Sequence, residues 1–348
     1  MSEARIVVDL AAYARNLDTL RARTAPAELM AVVKADGYGH GLLPIARAAV
    51  ANGVVWLGSL DVATGLELRK AGISRDVAIF AWLLGPSEDY REPIEAGIDL
   101  GISTIEQLDQ IADAGAAKPA RLHLKIDTGL HRNGATEAEW PELVRRALEL
   151  VRNGVAEFPA VWTHIAEASD EEDSAAIARF DRAIEVAETL GASIRLRHLA
   201  ASAAGLARPD ARFDLVRIGA FSYGISPGGG IAPRELGILP VMTLAAPVLD
   251  VNAGLAELGI GYADGISSAA AGVLEVTIGG RRYPIVSVGF DRIVVDVEGA
   301  PIETGEVGIL FGPGTHGEAT LQEWGDSLGT IGEEIVTRLS GRIRREYS

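Results

Sequence analysis

Eight short runs rich in Val, Ile and Leu recur over the first two-thirds of this chain, each followed by a longer stretch with helical spacing and charged faces. The runs are Leu29–Lys34, Val54–Ser59, Val77–Trp82, Ile98–Ser103, Arg121–Asp127, Phe158–His164, Ile194–Leu199 and Asp214–Ile218. Strands alternating with helices form βα units and a parallel sheet buried on both faces. Eight such units predict a closed (β/α)8 TIM barrel rather than an open doubly wound sheet. The connector Asp61–Gly72 shows the local logic. Val62, Leu66 and Leu68 share a face with small residues, Arg69 and Lys70 suit the last helical turn, and Gly72 suits the stop.

The texture changes after Pro227-Gly-Gly-Gly230, where alternating strands take over at Ala245–Val251, Val273–Ile278, Pro284–Val288, Ile293–Val297 and Val307–Phe311. Gly279-Gly280 and Gly312-Pro-Gly314 read as turns between them, and Thr320-x-x-Glu323 has the form of a capping box that opens one helix. The expected division is therefore a barrel over residues 1–228 and a mainly β C-terminal domain over 229–348. A chain of 348 residues with 48% hydrophobic content supplies cores for both.

Charge and composition remove several classes of function. Lys and Arg number 32 against 48 Asp and Glu, a net charge of −16, which argues against nucleic-acid or anionic-membrane partners but leaves room for a local basic pocket. The absence of cysteine excludes disulfides, thiolate metal sites and a Cys nucleophile. Met1-Ser2-Glu3-Ala4-Arg5 carries no apolar signal core and no apolar run is long enough to span a bilayer, so the expected location is cytoplasmic.

Barrels keep their chemistry at the C-terminal ends of the strands. Lys34 closes Met30-Ala-Val-Val and precedes Ala-Asp-Gly-Tyr-Gly-His-Gly41. A lysine there loses hydration and becomes useful as a base or Schiff-base amine, or else snorkels to solvent. Ser202 and Gly219 follow strands seven and eight, where barrels commonly hold phosphate; an ordinary cap and a tight turn are the plainer alternative. Arg217 lies inside Leu215-Val-Arg-Ile and needs an acceptor, either a ligand or a barrel acid such as Asp214. His164 and His198 end strands six and seven, as catalytic groups or as satisfied core histidines.

Together these segments resemble the alanine racemase family, which depends on pyridoxal 5′-phosphate. Val33-Lys34-Ala-Asp-Gly-Tyr-Gly-His-Gly41 is similar to the family's lysine signature. Lys125-Ile-Asp-Thr-Gly-Leu-His-Arg132-Asn-Gly, Thr163-His164, His198-Leu-Ala-Ala-Ser202, Asp214-Leu-Val-Arg217-Ile-Gly219 and Tyr223-Gly-Ile-Ser-Pro227 follow in the family's order. Gly261-Tyr262-Ala-Asp-Gly265, Leu310-Phe-Gly312 and Gly329-Thr-Ile…Glu334-Ile…Thr337-Arg338 continue it. The resemblance implies that Lys34 carries the cofactor as a Schiff base and is one of two bases, on the face that handles the D enantiomer. Tyr38, Ser202, Gly219 and Ala220 would hold the phosphate. Arg217 would face the pyridine nitrogen, His198 would orient Arg217, and His164 would lie against the ring. Arg132 would neighbour the phenolic oxygen and the substrate carboxylate, and Lys125 matches a position carbamylated in some members. No metal is implied. The implied partners are alanine or a similar small amino acid, in D-alanine metabolism, and a second copy of the chain. In that homodimer Phe290 and Asp291 would approach the partner's cofactor.

The sequence also departs from the family. The second base is a tyrosine, given by the other subunit, in a Ser-Tyr-Gly turn ahead of Gly-Tyr-x-Asp-Gly. Here Val251-Asn-Ala-Gly254 runs almost directly into Leu255–Gly265, and that segment is missing. Ser287 stands for the gate arginine, Phe290 for the substrate-contacting methionine, Glu333 for a phosphate-binding tyrosine and Ala201 for an asparagine. The expectation is a racemase-type isomerase of L- and D-alanine with a depleted second-base half-site, where Tyr262 is the first tyrosine to test as a substitute. The alternatives are one-base α-proton exchange, other chemistry with the same cofactor, or a non-catalytic binding or heterodimer partner.

Overall fold

The computed structural model describes residues 4–167, 169–227 and 231–348. Its chain divides into two compact units: Leu20–Lys34 with Ala49–Gly219, and Met1–Thr19, Ala35–Ala48 and Ala220–Ser348. The boundary expected at 228/229 falls among residues outside the described ones.

The first unit holds an eight-stranded, all-parallel sheet. In spatial order its strands are Leu196–His198, Ala156–Trp162, Ala120–Lys125, Ile98–Ile102, Ala78–Leu83, Trp56–Asp61, Glu28–Val32 and Leu215–Ile218. The outermost two are joined by backbone bonds from Asp214 N–H to the Arg197 carbonyl (3.0 Å) and from Arg217 N–H to the Ala200 carbonyl (3.1 Å), which close the sheet into a barrel. All eight expected runs are strands, with ends displaced by a few residues. The connectors behave as their chemistry dictates. Asp61 caps Val62–Lys70 by accepting from Thr64 N–H at 2.7 Å, and Gly72 takes the left-handed φ of +90° that ends the turn. Arg69, in the last turn, donates to the carbonyls of Ile73, Ser74, Val77, Ala96 and Gly97, pinning the loops beneath two strands.

The barrel is filled rather than hollow. Met30, Phe80, Trp162 and Leu215 form a buried cluster, with Trp56, Trp82 and Leu196 packed against it. Two imidazoles lie within this apolar fill. The His123 ring stacks on Phe80 at 4.6 Å and the His198 ring on Trp162 at 5.6 Å. Polar groups so deep require hydrogen-bond partners, and these organise the site described below.

The second unit is a β domain. The long strand Met242–Asn252 pairs with Val307–Phe311 through its first half and with Leu255–Leu258 through its last residues. Leu255–Leu258, Ile293–Asp296, Arg281–Val288, Glu275–Ile278 and Val307–Phe311 then complete an antiparallel ring around it. Arg5–Val8 adds to Met242–Ala245, and Arg344–Tyr347 adds in parallel to Arg5–Val8. The Thr320 capping box is present and opens Leu321–Leu328.

Candidate active site

Arg217 is the third residue of Leu215–Ile218 and is 4% exposed. One terminal nitrogen donates to His198 Nδ1 at 2.9 Å. The other faces the carbonyls of Thr163 (2.9 Å) and Leu199 (2.8 Å) and His164 Nδ1 (3.0 Å). Its Nε–H enters none of these bonds. Asp214 instead pairs with Arg197 at 2.7 Å, so Arg217 is held by neutral acceptors. Burial, with Arg132 nearby, brings the guanidinium down to about 9 while the Glu167 carboxylate opposes the fall, so Arg217 stays charged at neutral pH. The imidazoles respond in kind. Burial and then Arg217 push His164 down to about 2 and His198 well below the usual histidine range. Both are neutral acceptors of a cation's protons.

Lys125 ends Ala120–Lys125 and is 2% exposed. Its Nζ bonds Asn133 Oδ1 and stands 4.5 Å from the centroid of Trp162. Desolvation, then Arg217 and Arg132, lower it to about 7. Arg132 itself is exposed, and Lys34 is half-buried just beyond Glu28–Val32, where its charge also depresses His164. On the neighbouring loop, Ser202 Oγ accepts from Gly219 N–H at 3.0 Å. Glu167, at φ +56°, accepts from Ala204 N–H at 2.8 Å. Thus Lys34, Lys125, Arg132, His164, His198, Ser202, Arg217 and Gly219 all belong to the barrel unit, and at its strand ends cations and hydrogen-bond donors predominate over acids.

Tyr38 and Ala220 belong to the second unit. The glycines of the signature serve a left-handed turn, with φ between +51° and +59° at Ala35, Asp36, Gly37 and Tyr38. Three residues there carry side chains, and each opposes the left-handed form by roughly 1–2 kcal/mol. The turn is held by Gly39 N–H to the Ala35 carbonyl (2.8 Å) and Gly41 N–H to the Asp36 carbonyl (2.8 Å). His40 Nδ1 bonds the Gly37 and Tyr38 carbonyls. Tyr38 is buried with its ring 4.8 Å from Tyr223. Its hydroxyl is held above the usual tyrosine range by burial first and by the Glu333 carboxylate second. Ala220 opens the short turn Ala220–Tyr223.

Farther along, Asn252 pairs with Leu255, so only Ala253 (φ +48°) and Gly254 (φ +81°) join the two strands. Two left-handed central residues are the signature of a type I′ hairpin turn. Tyr262 and Phe290 are 54% and 58% exposed, in edge contact at 5.5 Å, with Ser287 and Asp291 also exposed.

The sequence reading missed His123 and Asp99, which extend the Arg217 contacts inward. Both were signalled by a polar residue inside an apolar run, Leu122-His-Leu124 and Ile98-Asp-Leu100.

Comparison with known proteins gives one consistent result. The family described as alanine racemase, N-terminal domain, matches residues 8–227, and alanine racemase, C-terminal domain, matches 245–347. The chain is 42% identical to an alanine racemase of Thermobifida fusca, over 100% of this chain and 98% of that protein. It is 43% identical to one of Salinispora tropica, over 100% and 99%. Among solved structures, an alanine racemase from Streptomyces coelicolor A3(2) superimposes with a TM-score of 0.94 at 39% identity, covering 99% of this chain and 98% of that one.

Proposed function

This chain belongs to the alanine racemase family, and we propose that it works as an alanine racemase-like isomerase with pyridoxal 5′-phosphate on Lys34 and a depleted second proton carrier. The residues present fit that cofactor. A phosphate needs donors, and Ser202 keeps its O–H to give while its Oγ accepts from the neighbouring Gly219 N–H. A carbonyl needs an amine, which Lys34 offers, and a pyridine nitrogen needs a donor, which the Nε–H of Arg217 offers. Tyr38 and the backbone at Ala220 complete the phosphate set in this reading.

When bound, the cofactor acidifies the α-C–H of an amino acid by drawing its electrons toward the ring. The chain's own groups then decide where the proton goes. Lys34 Nζ takes it from, and returns it to, one face. Arg217 donates a hydrogen bond but keeps its proton, which favours return to carbon over amino transfer. Neutral His164 lies beside Arg217 without adding charge, and Arg132 offers a cation for the substrate carboxylate.

The observation that carries this reading is a charged, buried Arg217 fixed by His198 and His164 at a barrel strand end. The depleted second carrier is supported by the two-residue hairpin at Ala253-Gly254. It is supported too by an alignment of 372 positions against a chain of 348 residues, so the Thermobifida relative carries residues this chain lacks. We read the assembly as a homodimer, in which the exposed Tyr262 and Phe290 are covered by the second copy.

The test follows α-deuterium entry from D₂O and the enantiomer ratio of alanine in one sample, by proton NMR and chiral chromatography. Loss of a positioned general base costs about 10²–10⁴-fold, so deuterium enters D-alanine faster than L-alanine forms, and Lys34→Ala abolishes both. Equal rates of exchange and inversion would mean that a second carrier is intact. No exchange with either enantiomer, with cofactor bound, would favour a non-catalytic binding protein.

A further inference from the structure

What Arg217 donates to depends on which ring nitrogens around it carry protons, and that is decided deeper in the barrel. Asp99, the second residue of Ile98–Ile102, is 2% exposed. Arg121 donates to its Oδ1 from Nε at 2.8 Å and to its Oδ2 from a terminal nitrogen at 3.3 Å, and also reaches Glu157 at 3.2 Å. Asp99 Oδ2 lies 3.0 Å from His123 Nε2. His123 Nδ1 lies 3.0 Å from His198 Nε2, and His198 Nδ1 lies 2.9 Å from Arg217. His123 and His198 are each 0% exposed.

The protons along this line are not independent. Burial alone would raise the Asp99 carboxyl, yet its bonds from His123 and Arg121 hold it below the usual carboxylate range, so it is an acceptor only. His123 must therefore carry its proton on Nε2 and accept on Nδ1. His198 in turn must donate from Nε2 and accept on Nδ1, the one arrangement that receives a proton from Arg217. A neutral imidazole has one donor and one acceptor nitrogen, so reversing either ring reverses the line.

We infer that Asp99 is a positioning residue for the reaction: through His123 and His198 it sets a one-way chain of donors that leaves an acceptor facing Arg217. The purpose assigned to the chain rests on the proposed role of Arg217, whereas the proton positions belong to the protein alone. An asparagine at 99 tests the chain sharply. Its NH₂ cannot face Arg121, which has only donors to offer, so it turns to His123. His123 then accepts on Nε2 and donates from Nδ1, and His198 presents an N–H to the Arg217 N–H across 2.9 Å.

The experiment reads the ring nitrogens of His123 and His198 by ¹⁵N NMR in the full-length protein, with and without added pyridoxal phosphate. In the unsubstituted protein both protons sit on Nε2; a proton on Nδ1 of either ring overturns the inference. Asp99→Asn moves both to Nδ1 and lowers kcat for alanine about 10- to 100-fold with KM little changed, the worth of a hydrogen bond to a charged group. Unchanged tautomers in that variant overturn it. In Asp99→Asn/Arg121→Met the amide is released to turn its carbonyl to His123, so both protons return to Nε2 and kcat recovers; additive loss overturns it. Correct tautomers in a protein that handles no amino acid would sink the racemase reading and leave the chain standing.

Discussion

Lys125→Met exchanges a buried amine for an apolar side chain of similar length, and the sign of its effect on stability depends on pH. The lysine is 2% exposed and its pKa falls from 10.5 to about 7 on folding, through burial and two neighbouring arginines. Between these values the unfolded chain binds more protons than the folded one, so stability rises with pH across that window and is lost as pH falls toward 7. At about 1.4 kcal/mol per unit, the ionised lysine costs the fold about 5 kcal/mol below pH 7. Against this, methionine forfeits the bond to Asn133 and leaves that part-buried amide oxygen without it, about 1–3 kcal/mol. Urea unfolding of the full-length protein without added cofactor should therefore show the variant more stable by about 2–4 kcal/mol at pH 6. It should be less stable by about 1–3 kcal/mol at pH 11, above the unfolded pKa, where the ionisation cost has gone. A difference that does not change sign with pH would mean that Lys125 keeps its ordinary affinity for protons, through water or a counter-ion, and the reasoning would fail.

Glu333→Tyr should tighten cofactor binding about tenfold, because a carboxylate that already raises Tyr38 also repels a phosphate dianion, whereas a phenol donates to it; an unchanged Kd in a titration of stripped protein would mean that Glu333 does not face the phosphate. Gly39→Ala places a Cβ 2.4 Å from the Val336 carbonyl oxygen at φ +75°, so thermal unfolding should show a loss of about 2–4 kcal/mol, and an unchanged midpoint would count against the left-handed turn.

The barrel was legible because parallel strands buried on both faces are written as continuous Val, Ile and Leu runs. The strands that escaped notice are of another kind. Arg5–Val8, Leu255–Leu258 and Arg344–Tyr347 have four residues each, and Arg344-Arg-Glu-Tyr carries charges that suit an edge strand but hide its periodicity. In the site, single residues at strand ends were readable and their pairings were not. Asp214 and Arg217 are close in sequence, yet Asp214 meets Arg197 across the barrel seam. The glycines of 37, 39 and 41 announced an unusual backbone. That Ala35, Asp36 and Tyr38 share the left-handed form was not readable, because the bonds from His40, Gly39 and Gly41 that enforce it exist only once the turn is made.

A chain with a net charge of −16 gathers cations at its barrel strand ends. Burial lowers all three groups first; beyond it Lys125 is lowered by Arg217 and Arg132, Arg217 by Arg132, and His164 by Arg217, Arg132, Lys125 and Lys34. Burial makes the larger part of each shift, and the remainder records repulsion among these like charges. Glu167 opposes part of it at Arg217, but its carboxylate is engaged with Ala204 N–H and is itself raised by burial. No arrangement of neutral hydrogen bonds removes a charge, so the imidazoles and carbonyls around Arg217 orient its guanidinium without neutralising it. A ligand that brings a phosphate and a carboxylate to these strand ends is bound partly by relief of repulsion already present. On the proposed function, this is how a strongly acidic chain would hold an anionic cofactor and an anionic substrate: the charge that would select them is local, desolvated and aimed, and the acidic remainder of the surface is screened from it over about a Debye length of 8–10 Å.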